Sequence, residues 1–441
     1  MELAELRQSE HEIFASALTS VDARAAVRKA AQFDGRKLRL FEQTFDLSLF
    51  PVYVLAIGKA AFGMATGLND SIGKYFRRGI IAGPPIKAES SLDPERWRSF
   101  AGGHPLPNQD SLAAARAGLE MLKQASAERA LVLFLISGGG SAMIELPRDH
   151  RITLADLREA NGQLISCGAT IREINAVRRA FSAIKGGGLA THADGAKKLT
   201  LIVSDTNAGD ERSVASGPTL LPPVGEPSAC EVIEKYALSS SLPPSILRAV
   251  SESSQPTHVT RVEESFHVLL DNGSALHAAA RKAESLGFAV EIAEDICEQP
   301  IQEGCELLLS RCDKLANDHA GRRVCLLSGG EFSCPVKGDG VGGRNLETAL
   351  RCAIFLDKHR EQNGRHIAVL SGGTDGLDGN SPASGAIADE TTVSRAFQHQ
   401  LDPPSFLDRS DSFNFFRSLG DELITGATGT NVRDLRVILA S

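Results

Sequence analysis

Several things are missing from this sequence. Among its eight cysteines no two form a CxxC pair, and no Cys/His spacing of a zinc site occurs. Free, buried thiols in a reducing compartment are therefore expected. No apolar run approaches the ~20 residues of a membrane span. The opening MELAELRQSEHEIF is acidic and amphipathic and lacks the basic and apolar regions of a secretory signal. A cytoplasmic protein away from the membrane is the expectation. Positive charge is in deficit, with 47 Lys and Arg against 55 Asp and Glu and a net charge of -8. That balance gives no footprint for nucleic acid or an anionic membrane, though a local basic cluster can still hold a small anionic substrate. A Walker A sequence is absent: neither Gly58-Lys59 nor Gly73-Lys74 has the earlier glycine or the following Ser or Thr. No short repeat or low-complexity tail is visible.

What is present is apolar material for more than one core. With 441 residues, 42% of them hydrophobic, two domains are expected. One shape recurs, an apolar run ending in a polar residue and a glycine turn: VYVLAIGKAA, LVLFLISGGGSA, LTLIVSDTNAGD, RVCLLSGGEFS and HIAVLSGGTDG. Runs without alternation predict strands buried on both faces, hence largely parallel sheets. Helical spacing in SLAAARAGLEMLKQAS and EINAVRRAFSAI separates them. The alternation predicts a doubly wound α/β fold, with ligands at the carboxyl ends of the strands. A Pro- and Ser-rich stretch places the division near Pro256, giving domains 1–255 and 256–441. The second domain then opens with a strand–helix–strand unit in HVLLDNGSALHAAARKAESLGFAVEIAEDI.

The glycine turns carry the candidate chemistry. Lys59 follows the first buried run and is placed as a point charge for a phosphate or carboxylate; the other reading is a surface lysine with its stem over apolar neighbours. Ser137, Gly138, Gly139, Gly140 and Ser141 leave a strand with successive amides that can form an anion nest. Asp205 and Asp210 frame a loop and suit Mg²⁺ held together with phosphate oxygens, or serve as turn and cap residues. Gly338, Gly340 and Gly343 form a GxGxxG, but EFSCPVK before it is a poor buried strand. A dinucleotide fingerprint, a phosphate loop and a plain turn all remain open. Arg344, next along, either clamps phosphate with its fork or pairs with Glu347. Asp375 and Asp378 in GGTDGLDG, and Thr428 to Asn431, are further polar loops.

Taken in order, AIGKAA, GGHPLP, LISGGGSAMIELP, REINAVRRAFSAIKGGGLA, SDTNAGDERSVASGPT, SGGEF, GDGVGGRNLETAL, SGGTDGLDG and TGATGTNVRDL resemble the class II glycerate kinases. This is the glycerate 2-kinase family with a C-terminal MOFRL domain, and the resemblance runs from Phe14 to Leu439. It implies two α/β domains with the active site in the cleft between them. It also implies ATP-dependent phosphorylation of D-glycerate to 2-phospho-D-glycerate with Mg²⁺. Lys59, Asp205 and Arg344 take catalytic positions. Ser137 to Ser141, Ser328, Gly329, Gly330, Glu331, Asn345 and Asp375 face substrate or phosphate. Metal falls to Asp205 and Asp210, and Asp205 is also a candidate base. The small molecules D-glycerate and ATP are the partners implied, with self-association left open. Departures from the family pattern are Asn108, the Phe332-Ser333-Cys334 stretch, Leu346 and Ala427. Two other readings stand beside this one: an NAD(P)-dependent hydroxypyruvate reductase, a label relatives have carried, and a non-catalytic ligand-binding regulator.

Overall fold

Every residue from Val52 to Ile57 and from Leu131 to Ser137 is buried, as central strands covered on both faces require. They pair in parallel in the computed structural model, which describes residues 2–85, 92–223, 225–253, 264–359 and 364–441. The chain divides into two units, Ala23–Leu269 and Met1–Asp22 with Leu270–Ser441. The expected division at 255/256 lies outside the described residues. The boundary differs in another respect: residues up to Asp22 go with the C-terminal unit.

Within Ala23–Leu269, β1 (Ala31–Phe33), β2 (Lys37–Leu40) and β3 (Gln43–Asp46) form an antiparallel meander. The main sheet holds β4 (Val52–Ile57), β5 (Arg78–Gly83), β6 (Trp97–Ala101), β7 (Leu131–Ser137), β8 (Lys197–Val203) and β9 (Phe266–Leu270), in the order β6-β5-β4-β7-β8-β9. Pairings from β6 through β8 are parallel. The chain steps outward from β4 to β6 and then returns to place β7 beside β4, so the β4/β7 gap is the topological switch point. The two expected helices appear as Gln109–Ala127 and Ile171–Phe181. Asn108 caps the first: its side chain accepts from the Ser111 amide at 2.9 Å. This departure from the family pattern therefore keeps an acceptor where a carboxylate would supply one.

The strand–helix–strand expectation needs correction. The helix Asn272–Ser285 and β10 (Ala289–Ile292) belong to the C-terminal unit, but β9 joins the first sheet beside β8. The Thr200 amide donates to Ser265 O at 2.9 Å, so the edge of β8 captures the incoming chain.

The second sheet contains β10, β11 (Val324–Ser328), β12 (Ile367–Gly373), β13 (Gly385–Asp389), β14 (Glu422–Leu423) and β15 (Asp434–Ala440), ordered β10-β11-β15-β12-β13-β14. Here the parallel expectation fails. Only β10 and β11 pair in parallel, and the other four pairings are antiparallel. β15 causes this by inserting between β11 and β12 in the opposite direction. The helix Leu3–Ser20 buries Leu6, Ile13, Phe14 and Ala17 at helical spacing and packs on the helix Asn272–Ser285, β12 and β15. Arg7 ties it further to Asp389 and Asp421, which explains why the start of the chain goes with the second unit. All eight cysteines are free, but Cys230 is exposed, contrary to the expectation of burial. Among the described residues no helix is long and apolar enough to cross a membrane.

Candidate active site

At the β4/β7 switch point two strand ends are stitched together. The Lys59 amide donates to Gly138 O at 2.8 Å. Ser137 Oγ donates to Ile57 O at 3.1 Å and accepts from the Ala60 amide at 3.0 Å. The Ser137 hydroxyl is thus committed to the neighbouring strand end and braces the turn. Gly138 has no room for a side chain, because a methyl group there would overlap the Asp205 carboxylate. Gly139 adopts φ +77°, and a Cβ on it would stand 3.1 Å from His104 Cδ2 and 3.2 Å from Lys59 Cγ. Two consecutive glycines therefore bring Lys59, His104 and Asp205 together.

Ser141 continues this rim. Its hydroxyl lies 2.8 Å from Ser216 Oγ, which donates to Asn175 Oδ1 at 2.7 Å, so Ser141 is the donor to Ser216. Beneath it, Lys185 Nζ donates to Ser141 O at 2.9 Å and pairs with Glu145. Both charges are buried; desolvation lowers the Lys185 pKa while Glu145 opposes the shift. Asp210 is placed differently from Asp205, in an ion pair with Arg172. Among the described residues no group of three or more His, Cys, Asp or Glu is arranged to hold a metal.

The second unit carries its own rim. Ser328 ends β11, with its hydroxyl donating to Ile296 O and accepting from Arg436 Nη1 at 3.0 Å. The Gly330 amide donates to Asn272 Oδ1 at 3.1 Å, and Asn272 in turn donates to Val432 O and Asp434 O. Buried Arg436 reaches the carbonyls of Gly329 and Gly330 and lies 3.6 Å above the Phe332 ring. Burial brings its pKa down to about 10. Phe332, another departure, is thus a stacking surface for a buried cation.

Arg344 does not pair with Glu347, which instead binds Arg351. Its fork engages Asp434 through Nε at 2.6 Å and Nη2 at 3.2 Å, and Nη2 also meets Glu331 at 2.8 Å. Asn345 Nδ2 donates to Asp434 at 2.9 Å, and its oxygen accepts from Ser371 at 2.7 Å. The helix Arg344–Lys358 is capped from afar: Asp378 accepts from the Asn345 and Leu346 amides at 3.1 and 2.8 Å. Burial, with Asp434 nearby, pushes Asp378 up to about 7 against those amides. Leu346 is fully buried core. Asp375 stands just beyond β12, its backbone oxygen accepting from the Thr428 amide at 3.1 Å.

This geometry removes the dinucleotide reading of the glycine run. No strand leads into it. A Cβ on Gly338 would stand 2.7 Å from Arg409 O, and one on Gly343 would overlap Asp378. The glycines admit the protein's own chain, and Asp378 takes the helix-start amides that a pyrophosphate would need. His104 is a candidate at this rim that the sequence alone does not single out. Its signal is position: it lies three residues beyond β6, at the same sheet edge as Lys59 and Gly138, but WRSFA lacks the unbroken apolar run that marks the central strands.

Comparison with known proteins adds an independent line. A family model described as a domain of unknown function, DUF4147, matches residues 10–251, and the MOFRL family model matches residues 324–434. A D-glycerate 2-kinase of Thermotoga maritima is 34% identical, over 88% of this chain and 90% of its own. A protein of Agrobacterium vitis, provisionally named a hydroxypyruvate reductase, is 33% identical over 88% of this chain and 98% of its own. The crystal structure of a glycerate kinase from Thermotoga maritima superposes with a TM-score of 0.80 at 31% identity, covering 99% of this chain and all of that one.

Proposed function

The chain belongs to the glycerate kinase family, in which a DUF4147 region precedes a MOFRL region, and on that premise we propose that it transfers the terminal phosphoryl group of ATP to the 2-hydroxyl of D-glycerate with Mg²⁺. The observation that carries the reading is the convergence of Lys59, His104 and Asp205 on the Gly138-Gly139 turn.

Phosphoryl transfer needs positioning and charge neutralisation more than covalent help. Lys59 supplies a positive charge at the carboxyl edge of the sheet, where the Gly138 to Ser141 turn cradles phosphate. Asp205 would hold Mg²⁺. One carboxylate fits a metal that arrives on the nucleotide, since Mg²⁺ is commonly bound by one or two carboxylates plus phosphates and water. When bound, the ion neutralises phosphate oxygens. Asp210, paired with Arg172, is the weaker ligand. One carboxylate rarely serves as both ligand and base, so His104 is assigned the proton of the attacking hydroxyl. Arg344 keeps the N–H groups of Nη1 for phosphate while Asp434 and Glu331 fix its plane.

The test is an assay of purified protein with D-glycerate, ATP and Mg²⁺, followed for ADP, with phosphorus NMR locating the new ester. ADP is expected only when all three are present, with the ester on the 2-position. A parallel arm with hydroxypyruvate and NADH is expected to stay silent. NADH oxidation without ADP formation would replace the kinase reading by the reductase one. Binding of glycerate with neither reaction would leave the regulator.

A further inference from the structure

The helix Ile171–Phe181 carries three arginines, and two have carboxylate partners. Arg172 pairs with Asp210 and Arg179 with Glu226. Arg178 is only 9% exposed, yet it makes no ion pair within 4.0 Å among the described residues, and its Nε has no hydrogen-bond partner. A guanidinium withdrawn from water without an acceptor is costly, so such a group is normally paired.

Its surroundings deepen the imbalance. Glu145 is the acid whose field reaches Arg178, and Glu145 is already committed to Lys185 and to the Ser182 hydroxyl at 2.6 Å. Two buried cations thus share one buried anion. Asn175, one helical turn before Arg178 and on the same face, holds Ser216 and through it Ser141. Lys185 fastens the Ser141 carbonyl from below. The missing negative charge belongs next to the rim that carries Lys59 and Asp205.

We propose that Arg178, beside Ser141, Ser216 and Asn175, forms an oxyanion subsite, and that this subsite takes the carboxylate of glycerate. The last step rests on the kinase reading above. The planar fork matches a carboxylate in two parallel hydrogen bonds, and the Gly138 to Ser141 turn with Lys59 is left for the transferring phosphate.

The experiment is calorimetric titration of the full chain with D-glycerate alone and with a non-hydrolysable ATP analogue alone, in wild type, Arg178→Met and Arg178→Lys. Arg178→Met is expected to weaken glycerate on the order of 100-fold, as truncation of a buried charge contact does, and to leave the analogue unchanged. Arg178→Lys should recover part of the loss. The melting temperature of Arg178→Met should equal or exceed that of wild type, because a buried charge without a partner is removed. Unchanged glycerate binding in Arg178→Met overturns the subsite. So does a lower melting temperature with loss of both ligands, which marks a structural arginine. Loss of the analogue alone assigns the oxyanion to the nucleotide and overturns the carboxylate assignment. If wild type neither phosphorylates nor binds glycerate, the kinase reading fails by itself. Inorganic sulfate then serves as the probe, and Arg178-dependent binding of it sustains the subsite whereas Arg178-independent binding overturns it.

Discussion

The carboxylate of Asp205 lies directly over the α-carbon of Gly138, in space that a single methyl group would occupy. Gly138→Ala therefore has to displace Asp205 or open the turn. The expected outcome is a loss of turnover of about 100-fold or more, because small misplacements of reacting groups carry that cost. Gly162→Ala is the matched control: it lies inside the helix Leu154–Ser166 with no atom within 4 Å of a new Cβ. It should raise stability by about 0.5–1 kcal/mol and leave kinetics alone. Equal activities for the two variants would separate Asp205 from the chemistry.

Lys59→Ala should fold normally, since this partly exposed side chain fills no core. Turnover should fall by about three powers of ten, the effect of deleting one preorganised charge or donor. Steady-state kinetics with a melting curve measure both. Near-normal turnover would return Lys59 to the surface role.

Arg344 couples activity to stability. Arg344→Met leaves the buried Asp434 without its bidentate partner. The full cost of breaking such a pair is reduced because a third of the arginine side chain is open to water. A loss of about 1–3 kcal/mol is expected, together with most of the activity. Adding Asp434→Asn should restore much of the melting temperature and none of the turnover. Recovery of both would reduce Arg344 to a brace for β15.

Asp378 gives a pH signature. Burial raises its folded-state pKa to about 7, against an ordinary value of 3.8. The folded chain then binds more protons than the unfolded chain between those values. The Asp378 contribution to stability is whole below about pH 4 and is lost as pH rises through about 7. Asp378→Asn retains an acceptor for the helix-start amides without the ionisation. Wild type should lose more melting temperature than this variant between pH 5 and pH 8, and parallel curves would show that Asp378 is ionised throughout.

Much of the first sheet is legible in the sequence, because burial on both faces leaves apolar runs such as VYVLAI and LVLFLIS without alternation. β15 is not legible in the same way. Its sequence DLRVILA carries Asp434 and Arg436 into the interior, where Arg344 and the Gly329 and Gly330 carbonyls meet them. Those partners lie about a hundred residues away in the chain, so no local pattern announces them. Lys59 and Asp205 could be picked out because each follows a buried run at its carboxyl end. Arg178 could not, since Arg172, Arg178 and Arg179 look alike on one helix until tertiary structure shows which of them lacks a carboxylate. Likewise Arg344 beside Glu347 suggests a local pair, and only the fold gives Glu347 to Arg351.

The placement of the helix Leu3–Ser20 sets an order of assembly. A ribosome makes that helix, with its apolar face of Leu6, Ile13, Phe14 and Ala17, before any of the surface that covers it exists. It makes β15, the strand in the middle of the same sheet, after the five other strands described in that sheet. The Ala23–Leu269 unit can therefore gather as its segments emerge, whereas the other unit waits for segments more than four hundred residues apart to meet. Closure over that separation is entropically demanding and slow. A translation stop just before Asp434 deletes only the tail in sequence, yet it takes away the strand that joins β11 to β12 and one of the three elements on which the first helix packs.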